Sequence, residues 1–293
     1  MKKVSIIIGD SASITKEIID KFSFVTVPFV MEWPEGESLK GDNIFEKMRE
    51  AEKQGIKTTP KTSQPSMGVF KKAFEEGLKE AESIIAITIS SEISGTYNSA
   101  IQAKKIFDEE TQKRIFVLNT LNADISESLF AIKAAELIEQ GLSAEEIYKN
   151  LEALISKVSL FAMLENSKWL EANGRISHAL SVILSQMQKV GMRPILAIKD
   201  GLIKPANLRM QAKDTADAMF KQFEEVTKKS LSENKKCRVA ISHGGNLEGA
   251  QKLRTLIEDK YPEVKIEFIS IDSMVIGCHV GAGALLCSVL IEN

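Results

Sequence analysis

The residues best placed to do chemistry in this chain are hydroxyls. Ser11, Thr62-Ser63, Ser90-Ser91, Ser94, Thr96 and Thr120 each follow a predicted strand or precede a predicted helix. In an open α/β sheet that edge is the ligand crevice, so small polar groups gathered there point to a bound molecule. Ser94-Gly95-Thr96 is the sharpest case. Its glycine lets the backbone approach a ligand, and the free N–H groups at a helix start attract an anion. A carboxylate or a single phosphate suits such a site. Taken singly, each of these residues is more readily a helix cap than a ligand contact, because Ser and Thr cap helices routinely. Four such places within half a chain shift the balance toward a site.

His279 sits in Gly277-Cys278-His279-Val280-Gly281, inside residues 273–291, a run without Lys, Arg, Asp or Glu. An imidazole in such surroundings needs a partner, which makes His279 a candidate ligand contact beside the plainer reading of a satisfied core residue. Cys278 invites a thiol nucleophile, but on the extended strand expected here neighbours face opposite sides, and small-residue packing explains it better. Ser94, His279 and Asp10 together offer the residue types of a Ser-His-Asp hydrolase, a combination that any chain of this length supplies by chance. His178 and His243 lack a comparable setting. With no H-E-x-x-H and no cysteine cluster, no metal site is expected, and no nucleophile elbow or nucleotide-binding glycine loop is present.

The elements that must position these groups follow α/β grammar. Residues 4–8 form a β-branched strand ending at Gly9-Asp10-Ser11, with a helix from about Thr15, whose hydroxyl can cap it. Residues 24–31 are a second extended run, placed at an edge by Pro28. Asp42 can cap the next helix, which Gly55 stops. Strands over 83–89 and 114–118 follow, then two helices parted by Gly141, the second opened by a Ser143/Glu146 capping box. Later come a short helix from Ser167 to a stop at Gly174, a helix with Leu180, Ile183, Leu184 and Met187 on one face, and a hairpin at Asp200-Gly201. A helix over about 210–231, a β-α-β passage capped at Asn246 and a C-terminal strand, loop and strand complete the chain. The fold class expected is α/β, in two closely packed lobes over residues 1–160 and 161–293.

The totals exclude several classes of function. In 293 residues, Lys+Arg 38 against Asp+Glu 40 leaves no positive field for nucleic acid or anionic membrane. Three cysteines without a C-x-x-C pair fit reduced thiols and a cytoplasmic setting. The apolar run after Met1-Lys2-Lys3 is too short for a signal peptide. The glycine-broken run 273–291 reads as buried structure, so no transmembrane segment is expected.

Five motifs taken in order carry a resemblance: Thr62-Ser63-Gln64-Pro65-Ser66, Ser90-Ser91-Glu92-Ile93-Ser94-Gly95-Thr96-Tyr97, Gly174-Arg175-Ile176-Ser177, Arg193-Pro194-Ile195-Leu196 with Asp200-Gly201, and Gly277-Cys278-His279-Val280-Gly281. The chain resembles the DegV family of bacterial fatty-acid-binding proteins over nearly its whole length. The resemblance implies a ligand tunnel between two α/β lobes, holding one long-chain fatty acid with its tail among apolar side chains. It implies that Thr62 and Ser94 hydrogen-bond the carboxylate, assisted by Gly95 N–H, with His279 at the same head group and Ser63 and Thr96 close by. Arg175 and Arg209 then mark the mouth or a partner surface. It further implies a carrier without catalytic residues or cofactor, whose partner, a fatty-acid kinase, phosphorylates the bound carboxylate for phospholipid synthesis. The alternatives are a carrier of another small carboxylate and a Ser-dependent acyl hydrolase. This sequence departs from the family pattern at Gly9, Asn119-Thr120, residues 122–127 and Asn173.

Overall fold

The computed structural model describes residues 2–189, 192–209 and 214–292, with the side chains of Gln188, Arg193 and Arg209 outside that description. Among the described residues the early strands are β1 (Lys2–Gly9), β2 (Val25–Val27), β3 (Val30–Glu32), β4 (Lys61–Ser63), β5 (Ala81–Thr88) and β6 (Ile115–Asn119). The later ones are β7 (Val158–Met163), β8 (Arg193–Lys199), β9 (Leu202–Arg209), β10 (Lys236–His243), β11 (Lys265–Ile271) and β12 (Leu285–Glu292). The α/β class expected from the sequence is what the chain adopts.

The chain divides into two compact units. Unit 1 comprises Met1–Val30, Ser63–Val158 and Asp200–Leu202, and unit 2 comprises Met31–Thr62, Ser159–Lys199 and Ile203–Asn293. This differs from the contiguous division at residue 160. The Val158/Ser159 junction lies close to it, but Met31–Thr62 groups with the later chain and the tip residues Asp200–Leu202 with the earlier.

Unit 1 is built on a sheet of order β2-β1-β5-β6, with every pair parallel. Residues 4–9 of β1 are all buried, as expected for a β-branched run covered on both faces. Phe70, Ala73 and Phe74 from helix Met67–Glu80 pack with Ile7, Ile84, Ala86 and Val117 of the strands. Because the strands run the same way, the segments after β1, β5 and β6 all emerge at one edge, which is the reason hydroxyls recur there. β2 is an edge strand, and Pro28 follows it, so the expected 24–31 run breaks into β2 and β3.

Unit 2 carries a sheet of order β11-β10-β12-β7-β8-β9, with β10 parallel to β11 and antiparallel to β12. Helices Thr215–Ser232 and Leu247–Lys260 contribute Met219, Phe223, Ala250 and Leu253 to a core with Val239, Ile241 and Val289. Asp200 and Gly201 both take positive φ, 54° and 78°, as the expected Asp-Gly turn requires.

Three local expectations are corrected. Thr15 stands at the N-cap of helix Lys16–Phe22, but its side chain makes no capping bond. Asn43, not Asp42, caps helix Ile44–Gln54, its Oδ1 accepting from Phe45 N and Glu46 N at 3.0 Å. Residues 274–280, expected as extended, form the helix Met274–Val280, opened by Ser273 Oγ accepting from Ile276 N. Its Val and Ile residues suggested a strand, but the cap and tertiary packing outweigh weak local propensity. No helix among the described residues is long and apolar enough to cross a membrane. The expected start of the long helix at Met210 lies outside the described residues, and that helix runs Thr215–Ser232 from an Asp214 cap.

A buried polar patch lies at the unit 1 edge. Glu127, fully buried near the start of helix Ile125–Glu139, accepts Ser11 Oγ at 3.1 and 3.2 Å through its two oxygens. Burial, against the opposing Ser11 bond and reinforced by Asp124 and Asp10, pushes its carboxyl well above the usual value of 4.5. A raised carboxyl pKa stabilises the fold fully below the unfolded value and loses that stabilisation as pH rises toward the folded one. Urea unfolding should therefore show wild-type stability falling relative to Glu127→Gln as pH rises above the ordinary carboxyl value. Parallel pH curves for the two proteins would contradict this.

Candidate functional site

In unit 1, β5 runs out into a turn over residues 90–95 that opens helix Thr96–Lys104. Ser94 Oγ accepts Thr96 N at 3.3 Å and lies 2.8 Å from Thr96 Oγ1. When Thr96 donates in that second bond, the Ser94 proton is left to donate to an outside acceptor. Gly95 holds the N-cap position without a side-chain cap, so Ser94 braces the first residue of the helix from just outside it and, in that arrangement, retains one donor. Thr96 itself is buried. At Gly95 an added Cβ would lie 2.7 Å from Gln64 Nε2, so the close approach that glycine permits is taken by a side-chain amide of the same unit. Ser63, at the end of β4, is exposed.

In unit 2, Thr62 on β4 and His279 on helix Met274–Val280 meet, with Thr62 Oγ1 3.0 Å from His279 Nε2. The other ring nitrogen, Nδ1, is buried and has no hydrogen-bond partner among the described residues. Burial first, then the charges of Arg175 and Lys61, push the imidazole down to about 4, so it is neutral near pH 7. Lys61 Nζ donates to Ala172 O at 2.5 Å, and Arg175 Nη1 donates to Asn173 O at 2.6 Å. Desolvation lowers the Arg175 pKa as well. Two cations and a half-satisfied imidazole on one unit make a polar point that favours an anion.

Asn173, where the family pattern has glycine, has a structural task. Its Nδ2 donates to Trp169 O and to Cys278 O, each at 3.0 Å, tying the end of helix Lys168–Ala172 to the His279 helix. Gly174 then turns the chain at φ 69° and Arg175 follows.

The structure therefore groups Ser94, Gly95 and Thr96 within unit 1, and Thr62, His279 and Arg175 within unit 2. Arg209 ends β9, and its side chain lies outside the described residues. Sequence reasoning missed Lys61, Gln64 and Asn173 as site residues. The first two adjoin or lie within the Thr62-Ser63-Gln64 motif, and Asn173 had been noted only as a departure.

A Ser-His-Asp relay requires a carboxylate on the second imidazole nitrogen. His279 Nδ1 bonds nothing, while Asp10 in unit 1 accepts Phe29 N at 3.1 Å. Cys278 is fully buried on a helix, its thiol pushed up to about 12 mainly by desolvation, so it packs rather than reacts. His243 Nδ1 accepts Asn246 N, and His178 pairs with Glu171. Among the described residues no cluster could hold a metal ion.

Unit 2 also contains an apolar cavity of about 370 Å³. Leu180, Ile183, Leu184 and Met187 from helix His178–Lys189 line it opposite Pro194 and Leu208.

A family model described as an uncharacterised protein, DegV family, matches residues 3–292. The chain belongs to the DegV family. A curated relative named fatty acid-binding protein, from Thermotoga maritima, is 29% identical, over 97% of this chain and 96% of its own length. The crystal structure of a DegV lipid binding protein from the same organism has a TM-score of 0.77 at 29% identity, covering 99% of this chain and 98% of that one. The structure of DegV, a fatty acid binding protein from Bacillus subtilis, has a TM-score of 0.79 at 26% identity with all of both chains covered.

His279 should remain neutral from about pH 8 down to about pH 5, because desolvation and two cations oppose the imidazolium. An NMR titration of its ring protons checks this, and a midpoint near the ordinary histidine value would contradict the site electrostatics.

Proposed function

We propose that this DegV-family chain binds one long-chain fatty acid, its carboxylate held by Thr62, Ser94 and the Gly95 N–H, with His279 at the same head group. The observation that carries this reading is the neutral His279–Thr62 pair beside Lys61 and Arg175, with one buried ring nitrogen unpaired. The neutral ring carries one proton: on Nε2 it is donated to Thr62 Oγ1 and leaves the Thr62 proton for the carboxylate, and on Nδ1 it lets the otherwise unpaired nitrogen donate to a ligand oxygen directly. The fatty-acid-binding relatives supply the ligand class. Ser63 and Thr96 lie beside the binding hydroxyls in sequence, and Arg175 and Arg209 are assigned to the mouth of the site.

The acyl tail supplies most of the affinity. A chain of about sixteen carbons gains on the order of 10 kcal/mol on leaving water, at ~0.8 kcal/mol per methylene. We assign the apolar cavity of unit 2 to part of that tail. The head group contributes orientation, through donors that leave a carboxylate oxygen nucleophilic. In this reading the protein is a carrier with no cofactor, and a separate ATP-using fatty-acid kinase phosphorylates the carboxylate it presents. The acyl phosphate then feeds phospholipid synthesis, which sets both partners in the cytoplasm.

Native mass spectrometry of protein purified from bacteria, followed by denaturation and identification of any released molecule, tests the ligand. A stoichiometric fatty acid is expected. A different acid, or no binding after fatty acid is added, would remove the proposal. The combined Thr62→Ala and Ser94→Ala substitutions should weaken fatty-acid binding by roughly tenfold or more, each losing a hydrogen bond to a charged group. The thermal unfolding midpoint should fall by about a few degrees as well, because Thr62, in the middle of β4, partners His279 Nε2 and Ser94 Oγ accepts Thr96 N.

A further inference from the structure

Ser90 is fully buried, and each of its polar groups is engaged. Its N–H donates to Asn122 O at 2.7 Å, and its carbonyl accepts Ile93 N at 3.3 Å and Ser94 N at 3.1 Å. Its hydroxyl donates to Gly201 O at 2.9 Å and accepts Glu92 N at 3.2 Å. The backbone that presents Ser94 is thus hung from one residue, which in turn is braced by the tip residues Asp200–Leu202 of the same unit.

The fit at the tip leaves no spare room. Gly201 is buried with φ 78°, and an added Cβ would lie 2.6 Å from Ser90 Oγ and 2.8 Å from Glu92 Cγ. A second tether acts on the same turn, since Asn119 Oδ1 accepts Ser91 N at 3.2 Å and Asn119 Nδ2 donates to Ser91 Oγ at 2.8 Å. The turn carrying Ser94 is therefore held by groups about 30 and about 110 residues away in sequence.

We propose that Ser90 is the positioning residue of the head-group turn, and that its bond to Gly201 sets the protein's selectivity for a carboxylate over an uncharged head group. The proposal rests on the fatty-acid reading above. A donor must lie within a few tenths of an ångström of its acceptor to be effective, so loosening the turn costs the carboxylate its hydrogen bond and leaves tail burial untouched. Ser90→Ala removes the brace. Gly201→Ala retains both bonding groups but forces them apart.

The test compares the affinity of stearate and octadecanol, two ligands with the same tail, for wild type and both variants. Wild type should prefer stearate. Each variant should bind stearate roughly tenfold more weakly while its affinity for octadecanol changes less than about twofold, the effect of one lost charge-assisted hydrogen bond. If Ser90→Ala does not fold, Gly201→Ala decides alone. Equal weakening of both ligands would show a merely structural role and overturn the proposal, as would an unchanged ratio. Failure of wild type to bind stearate at all would instead overturn the fatty-acid reading, and this proposal with it.

Discussion

The contacts around His279 in unit 2 depend on keeping one imidazole neutral. A protonated His279 would stand buried beside Lys61 and Arg175, three positive charges with no carboxylate among their hydrogen-bond partners. Desolvation and those two cations remove the proton, and the ring becomes a neutral partner for the Thr62 hydroxyl at 3.0 Å. The cations are in turn held by backbone carbonyls at the end of one short helix, those of Ala172 and Asn173. Positive charge is thereby fixed in place without a counter-ion, an arrangement that suits an incoming anion.

Unit 1 solves a different problem with the same kind of group. A parallel sheet covered on both faces delivers several strand ends to one edge, where backbone groups leave the ladder and need new partners. Thr120 Oγ1 donates to Thr88 O, Ser126 Oγ to Asn122 Oδ1, Ser128 Oγ to Ala12 O, and Ser11 Oγ to Glu127. Most of the hydroxyls there are used up in holding the edge together. Ser94 differs, since it accepts Thr96 N and, when Thr96 Oγ1 donates to it, still has one proton to give. Glu127 shares that edge: burial there raises its carboxyl pKa, and Ser11 supplies its hydrogen bonds.

The departures from the family pattern acquire physical meaning. Asn119 uses both ends of its amide on Ser91, as acceptor from the backbone and donor to the hydroxyl. A carboxylate could only accept, so the Ser91 hydroxyl would have to turn and donate to it. Asn173 replaces a glycine and bridges two helix ends instead. These two asparagines add bonds to Ser91, in the turn that carries Ser94, and to Cys278 O, beside His279. The membership of the family, shown over residues 3–292, and the local chemistry are therefore consistent with each other.

What the sequence by itself determined is local. The Asp200-Gly201 turn, the stops at Gly55 and Gly174, and the capping box at Ser143 and Glu146 follow from φ restrictions and from groups within four residues of each other. The recurrence of hydroxyls after parallel strands was legible for the same reason. Tertiary structure alone decided that residues 274–280 are helical, that Met31–Thr62 groups with the later chain, and that Glu127 is buried. It also decided which partners the site residues find: Thr62 meets His279 across 217 positions, Ser90 meets Gly201 across 111, and Ser11 meets Glu127 across 116. Contacts over such separations depend on where the whole chain packs. Propensities and caps, which act over one turn, carry no record of them.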